Sequence, residues 1–211
     1  MRPRLLYDIK FVEEEYLTLT TLELLLESIS KELRCNNGRA IVYCPTQEMT
    51  EDMATKSPRD LTWTQAMHYH GGIEDDDKKE ASKSWRSGSL CKVMVGTSAF
   101  GAGIDYPNVR LVLHLYRSGS LIDYVQEAGR AGRDGCDATC VLLADQTDLE
   151  GTLATSSSGD RINQDKSQQP KVEFARFALS DGCIRLRLQH QFGWLRHCET
   201  WYCPPKADDS G

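Results

Sequence analysis

The sequence predicts an α/β fold in which a parallel β-sheet carries helices on both faces. Three observations support this prediction: short apolar runs alternate with helix-like segments, turn-forming residues separate them, and 211 residues are enough for one domain and an appendage. The longest apolar runs, such as 111–113 and 141–144, are far shorter than the roughly 18 residues of a membrane span. We therefore expect a globular α/β chain without a transmembrane segment.

The first predicted helix begins at a capping box formed by Thr20 and Glu23, and its apolar residues recur at helical spacing up to a turn at residues 36–38. The apolar run at 40–44 is typical of a buried parallel strand. Thr46 is placed to cap the helix that follows. This part of the sequence thus predicts a helix, a strand and a second helix.

The same alternation continues along the chain. Four carboxylates at 74–77 favour the start of a helix that ends near Gly88, and the Ser120 hydroxyl is placed to cap another helix. The predicted elements are a strand at 66–69, a helix at 73–86, strands at 92–95 and 111–115, a helix from 120 to about 130 and a strand at 138–143.

The composition changes after the last predicted strand. Polar and turn-forming residues at 146–170 predict a linker or mobile loop, whereas 172–177 and 183–192 are predicted to form short helices. The predicted organisation is a lobe over 1–145, a linker over 146–170 and a tail over 171–211. We expect the tail to pack loosely on the lobe.

Charge and cysteine content limit the classes of function. The net charge of −6 and pI near 5.4 exclude a uniformly basic surface, so any nucleic-acid contact must come from a local group of donors. Eight cysteines without a secretory leader favour an intracellular chain with reduced thiols over a disulfide framework. The cysteines predicted to be small buried apolar residues are Cys35, Cys44, Cys91, Cys136 and Cys140. The tryptophans predicted to serve packing alone are Trp63, Trp85, Trp194 and Trp201.

A first candidate site is the segment VGTSAFGAGID at residues 95–105, which joins a predicted strand to a loop. Its small residues allow a backbone to approach a phosphate closely, and the hydroxyls of Thr97 and Ser98 can hold that phosphate without sequence preference. The alternative is an ordinary glycine-rich turn. A GxG pattern is weak by itself, so this segment alone does not decide between the two.

A second candidate site is YVQEAGRAGRDG at residues 124–135. If it is helical, Gln126, Arg130 and Arg133 lie at i, i+4 and i+7 and present one amide and two guanidinium groups on one face. Like charges and glycines disfavour such a helix, which indicates that an anion or a facing surface compensates. The alternative is a solvated face on which Arg133 pairs with Asp134. Both segments in one α/β chain are far more specific than either.

Together these motifs resemble the C-terminal RecA-like lobe of the RecQ family, within the superfamily 2 helicases. The matching segments are RPRLLY at 2–7 (the lead-in to this lobe), IVYCPT at 41–46 (motif IV), YHGGI at 69–73, the stretch 93–110 (motif V and its extension) and QEAGRAGRDG at 126–135 (motif VI). Ala102 and Tyr106 depart from the family's usual methionine and lysine, but neither departure removes a charge-bearing motif residue that the mechanism needs. The resemblance covers about residues 1–145 and implies a RecA-like, P-loop-NTPase-like three-layer fold with a small, mainly helical tail.

The resemblance implies that the first segment contacts DNA. Thr97 and Ser98 would touch the phosphates of the translocated single strand without reading its sequence. Thr46 and His70 are further candidates, although a lone histidine at a strand end is also typical of a partly buried residue with ordinary partners. The implied partners are single-stranded and duplex DNA.

The resemblance also implies that the second segment faces ATP, which is bound with Mg²⁺ mainly by an N-terminal RecA-like lobe. Arg133, and secondarily Arg130 and Gln126, would neutralise charge on the transferred phosphoryl group, as arginine fingers do. Asp105 and Gly103 would couple the DNA contact to the nucleotide. The implied activity is ATP-driven 3′→5′ DNA unwinding in an intracellular protein, nuclear in a eukaryote, with a role in DNA repair and recombination.

The tail resembles the start of the RecQ zinc-binding subdomain around Cys183. The candidate ligands for Zn²⁺ are Cys183, Cys198, Cys203 and His197, three sulfurs and one nitrogen. Two adjacent ligands, His197 and Cys198, are difficult to aim at one metal, and the cysteine spacing is wider than in the family. The alternative is a degenerate or truncated module with three free cysteines.

Neither a GxxxxGK[ST] phosphate loop nor a DExH run occurs in the sequence. We therefore expect the isolated chain to be inactive as an ATPase and to need an ATP-binding lobe. Two classes of function stay open: part of an ATP-driven helicase, or a non-catalytic remnant that binds DNA or protein. The joint presence of Thr97, Asp105, Arg130 and Arg133 favours the first.

Overall fold

The computed structural model describes residues 4–28, 37–56, 65–88, 91–101, 105–157 and 167–193. The strands in these ranges are β1 (Leu5–Phe11), β2 (Arg39–Tyr43), β3 (Gln65–Tyr69), β4 (Cys91–Gly96), β5 (Val109–Leu115) and β6 (Ala138–Ala144). The helices are α1 (Glu14–Ser28), α2 (Gln47–Lys56), α3 (Asp75–Ser87), α4 (Leu121–Ala128), α5 (Gln146–Ser157), α6 (Gln169–Leu179) and α7 (Ile184–Gln191), and a 3-10 helix spans Ser98–Gly101.

The strands form one parallel sheet in the order β1-β6-β5-β2-β4-β3. Strands β2 and β5 are buried along their whole length, as expected for strands covered on both faces. Neighbouring residues of one strand point to opposite faces, and accordingly Ile41 belongs to a core cluster with Trp85 of α3, whereas Val42 belongs to a second cluster with Met53 of α2. The predicted α/β fold with helices on both faces is confirmed.

Local signals in the sequence locate several helix ends correctly. The Met49 backbone amide donates to the Thr46 hydroxyl at 3.2 Å, so Thr46 caps α2 as predicted. The Asp123 amide donates to the Ser120 hydroxyl at 3.1 Å at the start of α4. Gly88 ends α3 with a left-handed φ of 65°, which glycine adopts without a Cβ penalty.

The amino-terminal elements differ from the prediction. Strand β1 was not expected, because exposed residues such as Asp8 and Lys10 interrupt its apolar residues; it pairs with β6 at one edge of the sheet. Helix α1 begins at Glu14 rather than at the predicted capping box, so Thr20 lies inside the helix. The acidic first turn favours this earlier start. The predicted end of the helix falls outside the described residues.

The linker predicted over 146–170 is wrong for residues 146–157, which form α5. The Asp145 carboxylate accepts hydrogen bonds from the backbone amides of the second and third residues after it, at 2.7 and 3.2 Å, and caps this helix. Leu149 is buried against the core although the segment has few apolar residues. Residues 158–166 lie outside the described ranges. The division of the chain into lobe, linker and tail stays a prediction.

The tail helices α6 and α7 are confirmed, but the expectation of loose packing is wrong for their residues. Phe174 and Leu188 are fully buried in the core cluster that holds Trp85. The ring of Phe174 lies edge-on to Tyr124 of α4, with centroids 5.8 Å apart. The described tail is therefore part of the lobe's core.

Among the described cysteines and tryptophan that the sequence predicted to be buried or packed, one prediction is wrong. Cys44, Cys91 and Cys140 are buried, whereas Cys136 is exposed in the turn before β6. Trp85 is fully buried, as predicted for packing. The other residues of these two predictions, Cys35, Trp63, Trp194 and Trp201, lie outside the described residues. In the part of the chain that the structure describes, no helix has the length and apolar character needed to cross a membrane.

Candidate functional site

The carboxyl ends of the parallel strands meet at one edge of the sheet, and a cavity of about 170 Å³ opens there. We call it the strand-end cavity. It is lined by the ends of β2 and β5, by the segments after β2, β4 and β5, and by one residue of α4: Tyr43, Cys44, Pro45, Thr97, Ser98, His114, Leu115, Arg117, Ser118, Gly119 and Glu127. This edge is the usual place for ligands in open α/β sheets.

Two of the predicted phosphate-binding residues line the strand-end cavity. The Thr97 backbone amide donates to the Tyr69 carbonyl of β3 at 3.2 Å, and the Thr97 carbonyl accepts from the Phe100 amide at 3.0 Å. Phe100 is buried and anchors the 3-10 helix, while Ser98 at its start is exposed. The structure therefore holds both hydroxyl-bearing residues at the open edge of the sheet. Gly103 lies outside the described residues.

The turn after α4 corrects the prediction for motif VI, residues 126–135. Because α4 ends at Ala128 and Gly132 adopts a φ of 62°, Gln126, Arg130 and Arg133 do not share one helical face. The glycines disfavour continuation of the helix. The guanidinium groups are placed by a turn and not by helical spacing.

Arg130 lies between the 3-10 helix and the end of β2. A Cβ added to Gly101 would lie 2.8 Å from Arg130 Nη2, so a larger residue at 101 would displace the guanidinium group. Burial raises the pKa of the Tyr43 hydroxyl, and the neighbouring charge of Arg130 opposes that rise. Arg130 thus brings motif VI against motif V.

Arg133 and Asp134 have different partners from those considered in the sequence. Arg133 Nη1 lies 2.5 Å from Asp105 Oδ1. Asp134 instead pairs through both carboxylate oxygens with Arg110 of β5, which is buried. Hydrogen bonds from Arg110 lower the pKa of the Asp134 carboxyl. The alternative in which Arg133 pairs with Asp134 on a solvated face is therefore wrong. Asp134 instead attaches the turn to β5.

A buried polar group beside the strand-end cavity was missed in the sequence. His114 Nε2 lies 3.1 Å from Glu127 Oε2, and the Ser118 hydroxyl donates to the same oxygen at 2.8 Å. Both His114 and Glu127 are buried. The available signals were a histidine inside the apolar run LVLHL at 111–115 and the carboxylate within motif VI.

The remaining predicted DNA contacts, His70 and Thr46, do not line the strand-end cavity. The His70 ring is buried; its Nδ1 accepts from the Gly72 amide at 3.2 Å, and its Nε2 lies 3.0 Å from Glu51 Oε1. These neighbours agree with the packing alternative considered for His70. Thr46 is exposed but engaged as the cap of α2.

The tail gives no support for zinc. Of the four candidate ligands only Cys183 lies within the described residues. Among the other described cysteines, Cys44, Cys91, Cys136 and Cys140 are free. His197, Cys198 and Cys203 lie outside the described residues. Within the described ranges, no group of three or more His, Cys, Asp or Glu could hold a metal ion.

Comparison with known proteins decides the family. The family described as the helicase conserved C-terminal domain matches residues 20–135, more than half of the chain. The chain belongs to this helicase C-terminal domain family. The match includes both candidate segments. The fold of the chain agrees with that of solved helicase domains. The chain is similar to Mss116p DEAD-box helicase domain 2 bound to an RNA duplex (TM-score 0.59, 20% identity, 74% of this chain and 59% of that chain). It is also similar to the E. coli DEAD-box protein SrmB bound to RraA (TM-score 0.55, 23% identity, 68% and 78%). These likenesses show a RecA-like fold.

RecQ-type proteins are among the relatives of this helicase C-terminal domain. It is 33% identical over 195 residues to the ATP-dependent DNA helicase hus2/rqh1 of Schizosaccharomyces pombe, covering 91% of this chain and 14% of that protein. It is 34% identical over 154 residues to the ATP-dependent DNA helicase RecQ of Bacillus subtilis, covering 72% and 26%. The resemblance to the RecQ family is confirmed. The chain spans about a quarter or less of the length of these two relatives.

Proposed function

We propose that the chain is the C-terminal motor lobe of a RecQ-like ATP-dependent 3′→5′ DNA helicase and acts with an N-terminal RecA-like lobe. The observation that carries this proposal is the contact between Arg133 and Asp105, because it joins motif VI to the segment that follows the Thr97 and Ser98 loop. A single mobile unit that contains both a phosphate-binding loop and guanidinium groups is what a motor lobe requires. In a eukaryote this protein would act in the nucleus, in DNA repair and recombination.

Single-stranded DNA is proposed to pass the strand-end edge of the sheet. Thr97 and Ser98 supply hydroxyls and backbone amides for phosphates, and Thr46 and His70 lie at the ends of the neighbouring strands. The chain has a net charge of −6, so binding depends on this local set of donors and not on a basic surface. The contact is therefore expected to be weak and independent of sequence.

ATP and Mg²⁺ are proposed to be held mainly by the partner lobe. The donor set of this chain fits the triphosphate, because two guanidinium groups, Arg130 and Arg133, lie beside the loop that ends β4. Arg133 keeps part of its side chain exposed, at 28%, and its described partner, Asp105, is an exposed carboxylate. Such groups stabilise negative charge on phosphate oxygens. Gln126 and Gly103 are proposed to assist at the same interface.

The DNA part of the proposal can be tested with the 211-residue chain and a fluorescent oligonucleotide. We expect weak binding that is insensitive to sequence and decreases as salt increases, because phosphate contacts release counterions. Thr97→Ala and Ser98→Ala should each weaken binding severalfold. Ser87→Ala is the matched control, since Ser87 is an exposed serine at the end of α3, at the opposite edge of the sheet.

Two results would contradict this assignment. Strong, salt-insensitive and sequence-selective binding would require base-edge contacts at another site. Equal effects of Ser98→Ala and Ser87→Ala would place the DNA away from the strand-end cavity. Binding without any ATP-linked role, measured as described for Arg133 in the Discussion, would favour a non-catalytic module.

A further inference from the structure

We propose that His114 is a positioning residue: through Glu127 it holds the motif VI turn, residues 129–135, in the orientation that presents Arg130 and Arg133 to the nucleotide. This inference rests on the proposed function, since it names the device that orients the proposed arginines. It starts from the buried polar group beside the strand-end cavity.

Glu127 connects this polar group directly to the turn. Its carboxylate accepts a hydrogen bond from the Ser118 hydroxyl and lies 3.1 Å from His114 Nε2. Its backbone carbonyl accepts a hydrogen bond from the Arg130 amide at 3.1 Å. The same residue therefore joins β5, the segment after β5 and the first hydrogen bond of the turn. A change in the Glu127 side chain changes the position from which the turn leaves α4.

The environment of His114 fixes both its orientation and its tautomer. The ring is stacked on Tyr43, with centroids 5.2 Å apart and planes at 19°, and Tyr124 covers another side at 4.8 Å. Cys140 Sγ lies 3.8 Å from His114 Nδ1. The Cys140 thiol donates to the Tyr124 hydroxyl at 3.8 Å, and burial raises its pKa to about 12. Glu127 Oε2 accepts from the Ser118 hydroxyl and faces Nε2, so Nε2 carries a proton and donates it to Glu127.

The burial of Glu127 explains why its contact with His114 controls the position of the motif VI turn. A carboxylate removed from water needs donors, and one that loses a donor moves towards solvent or takes up a proton. Glu127 is only 6% exposed, and His114 only 1%. Without the imidazole donor, the Glu127 side chain and the turn that begins at its carbonyl are expected to shift towards the strand-end cavity.

The first test uses the 211-residue chain and needs no activity. In His114→Phe the ring can still stack on Tyr43 but no longer donates, and we expect amide hydrogen exchange across 129–135 to become at least tenfold faster. In His114→Gln the amide N–H can replace Nε2–H, so exchange should return to within about threefold of the parent. His68→Phe is the matched control, because His68 is exposed on β3. Nitrogen NMR of the His114 ring should show the Nε2–H tautomer.

The second test joins the chain to an ATP-binding lobe. We expect His114→Phe to lower kcat for ATP at least tenfold while the KM for ATP stays within about threefold, and His114→Gln to recover most of the loss. A role in folding alone would not produce this division between kcat and KM or its rescue.

The outcomes separate the two proposals. If His114→Phe leaves both the exchange at 129–135 and kcat unchanged, or if the ring carries its proton on Nδ1 alone, the positioning role is overturned. If the exchange responds as expected but the parent two-lobed protein hydrolyses no ATP, the proposed function fails while the contact between His114 and the turn stands. If His114→Phe does not fold, amide hydrogen exchange across 129–135 is compared between His114→Gln and the shorter His114→Asn. Equal exchange in these two variants would overturn the role of the Nε2 donor.

Discussion

Arg133 Nη1 lies 2.5 Å from Asp105 Oδ1, across 28 positions of the sequence. The Asp105 side chain is 85% exposed, so this pair gains little stability and is readily exchanged for another anion. The next residue of the turn, Asp134, pairs with Arg110, and both of these side chains are largely buried. The turn thus has a firmly attached residue, Asp134, next to an arginine whose described partner can be replaced.

The two neighbouring ion pairs predict very different effects on stability. Asp134→Asn should lower the free energy of unfolding by about 1.5 to 3 kcal/mol, because it weakens charged hydrogen bonds to a buried guanidinium group. Asp105→Asn, the matched control, should change it by less than about 1 kcal/mol, because its pair is exposed. Urea denaturation of both variants measures the difference. Equal losses would mean that the two pairs are equally important for the fold.

Stability should also depend on pH through Asp134. Hydrogen bonds from Arg110 lower its pKa in the folded state, so its contribution is present above the unfolded pKa of about 3.9 and is lost as pH falls through the folded value. The stability difference between the parent and Asp134→Asn should be constant above about pH 5 and shrink below about pH 4. Denaturation curves at a series of pH values test this. A difference that grows with acidity would contradict the direction of the pKa shift.

Gly88 gives a prediction about the opposite edge of the sheet. Its φ is 65°, and a Cβ added there would collide with the guanidinium group of Arg39, which is buried and donates to the carbonyls of Trp85 at 2.5 Å and Arg86 at 2.9 Å at the end of α3. Gly88→Ala should therefore cost clearly more than the roughly 1–2 kcal/mol of a left-handed alanine. Gly135→Ala is the control: its φ is 81°, but a Cβ there meets nothing within 4 Å. Similar losses of unfolding free energy in both variants would show that Arg39 moves aside at no cost.

The sequence predicted the sheet well where apolar runs are continuous and poorly where they are not. The runs at 40–44 and 111–115 correspond to the fully buried strands β2 and β5. Strand β1 was missed because only part of it is buried and charged residues alternate with its apolar ones. Helix α5 was missed because it buries few apolar residues, so its cap, Asp145, was the main local signal.

The candidate site was predicted by residue type but not by arrangement. Motif spacing pointed to Thr97, Arg130 and Arg133 as candidates, and the roles proposed for them stay predictions. Their partners come from the tertiary structure: Asp105 lies 28 positions from Arg133, and a pairing of that range is not visible in helical periodicity. For the same reason the contact between His114 and Glu127, on different elements, could not be predicted.

The last prediction concerns the role proposed for Arg133. In a chain joined to an ATP-binding lobe, Arg133→Ala should reduce ATP turnover far more than it weakens DNA binding, because the guanidinium group is proposed to meet charge that develops on the transferred phosphoryl group. Arginine fingers contribute about 10³ to 10⁵ in rate where they act. The conservative variant Arg133→Lys should retain little of this turnover, because an ammonium group keeps the charge but lacks the planar pair of donors.

The measurement is ATP turnover at saturating single-stranded DNA, together with separate affinities for DNA and nucleotide. Asp105→Asn is the informative companion, since it removes the charge of the described partner of Arg133 without removing the guanidinium group. It should retain much more turnover than Arg133→Ala, because the proposed finger is still present. If Arg133→Ala keeps turnover within about threefold of the parent while DNA affinity collapses, a change far below the finger effect of about 10³ or more, then Arg133 contacts DNA and the assignment of motif VI to ATP fails.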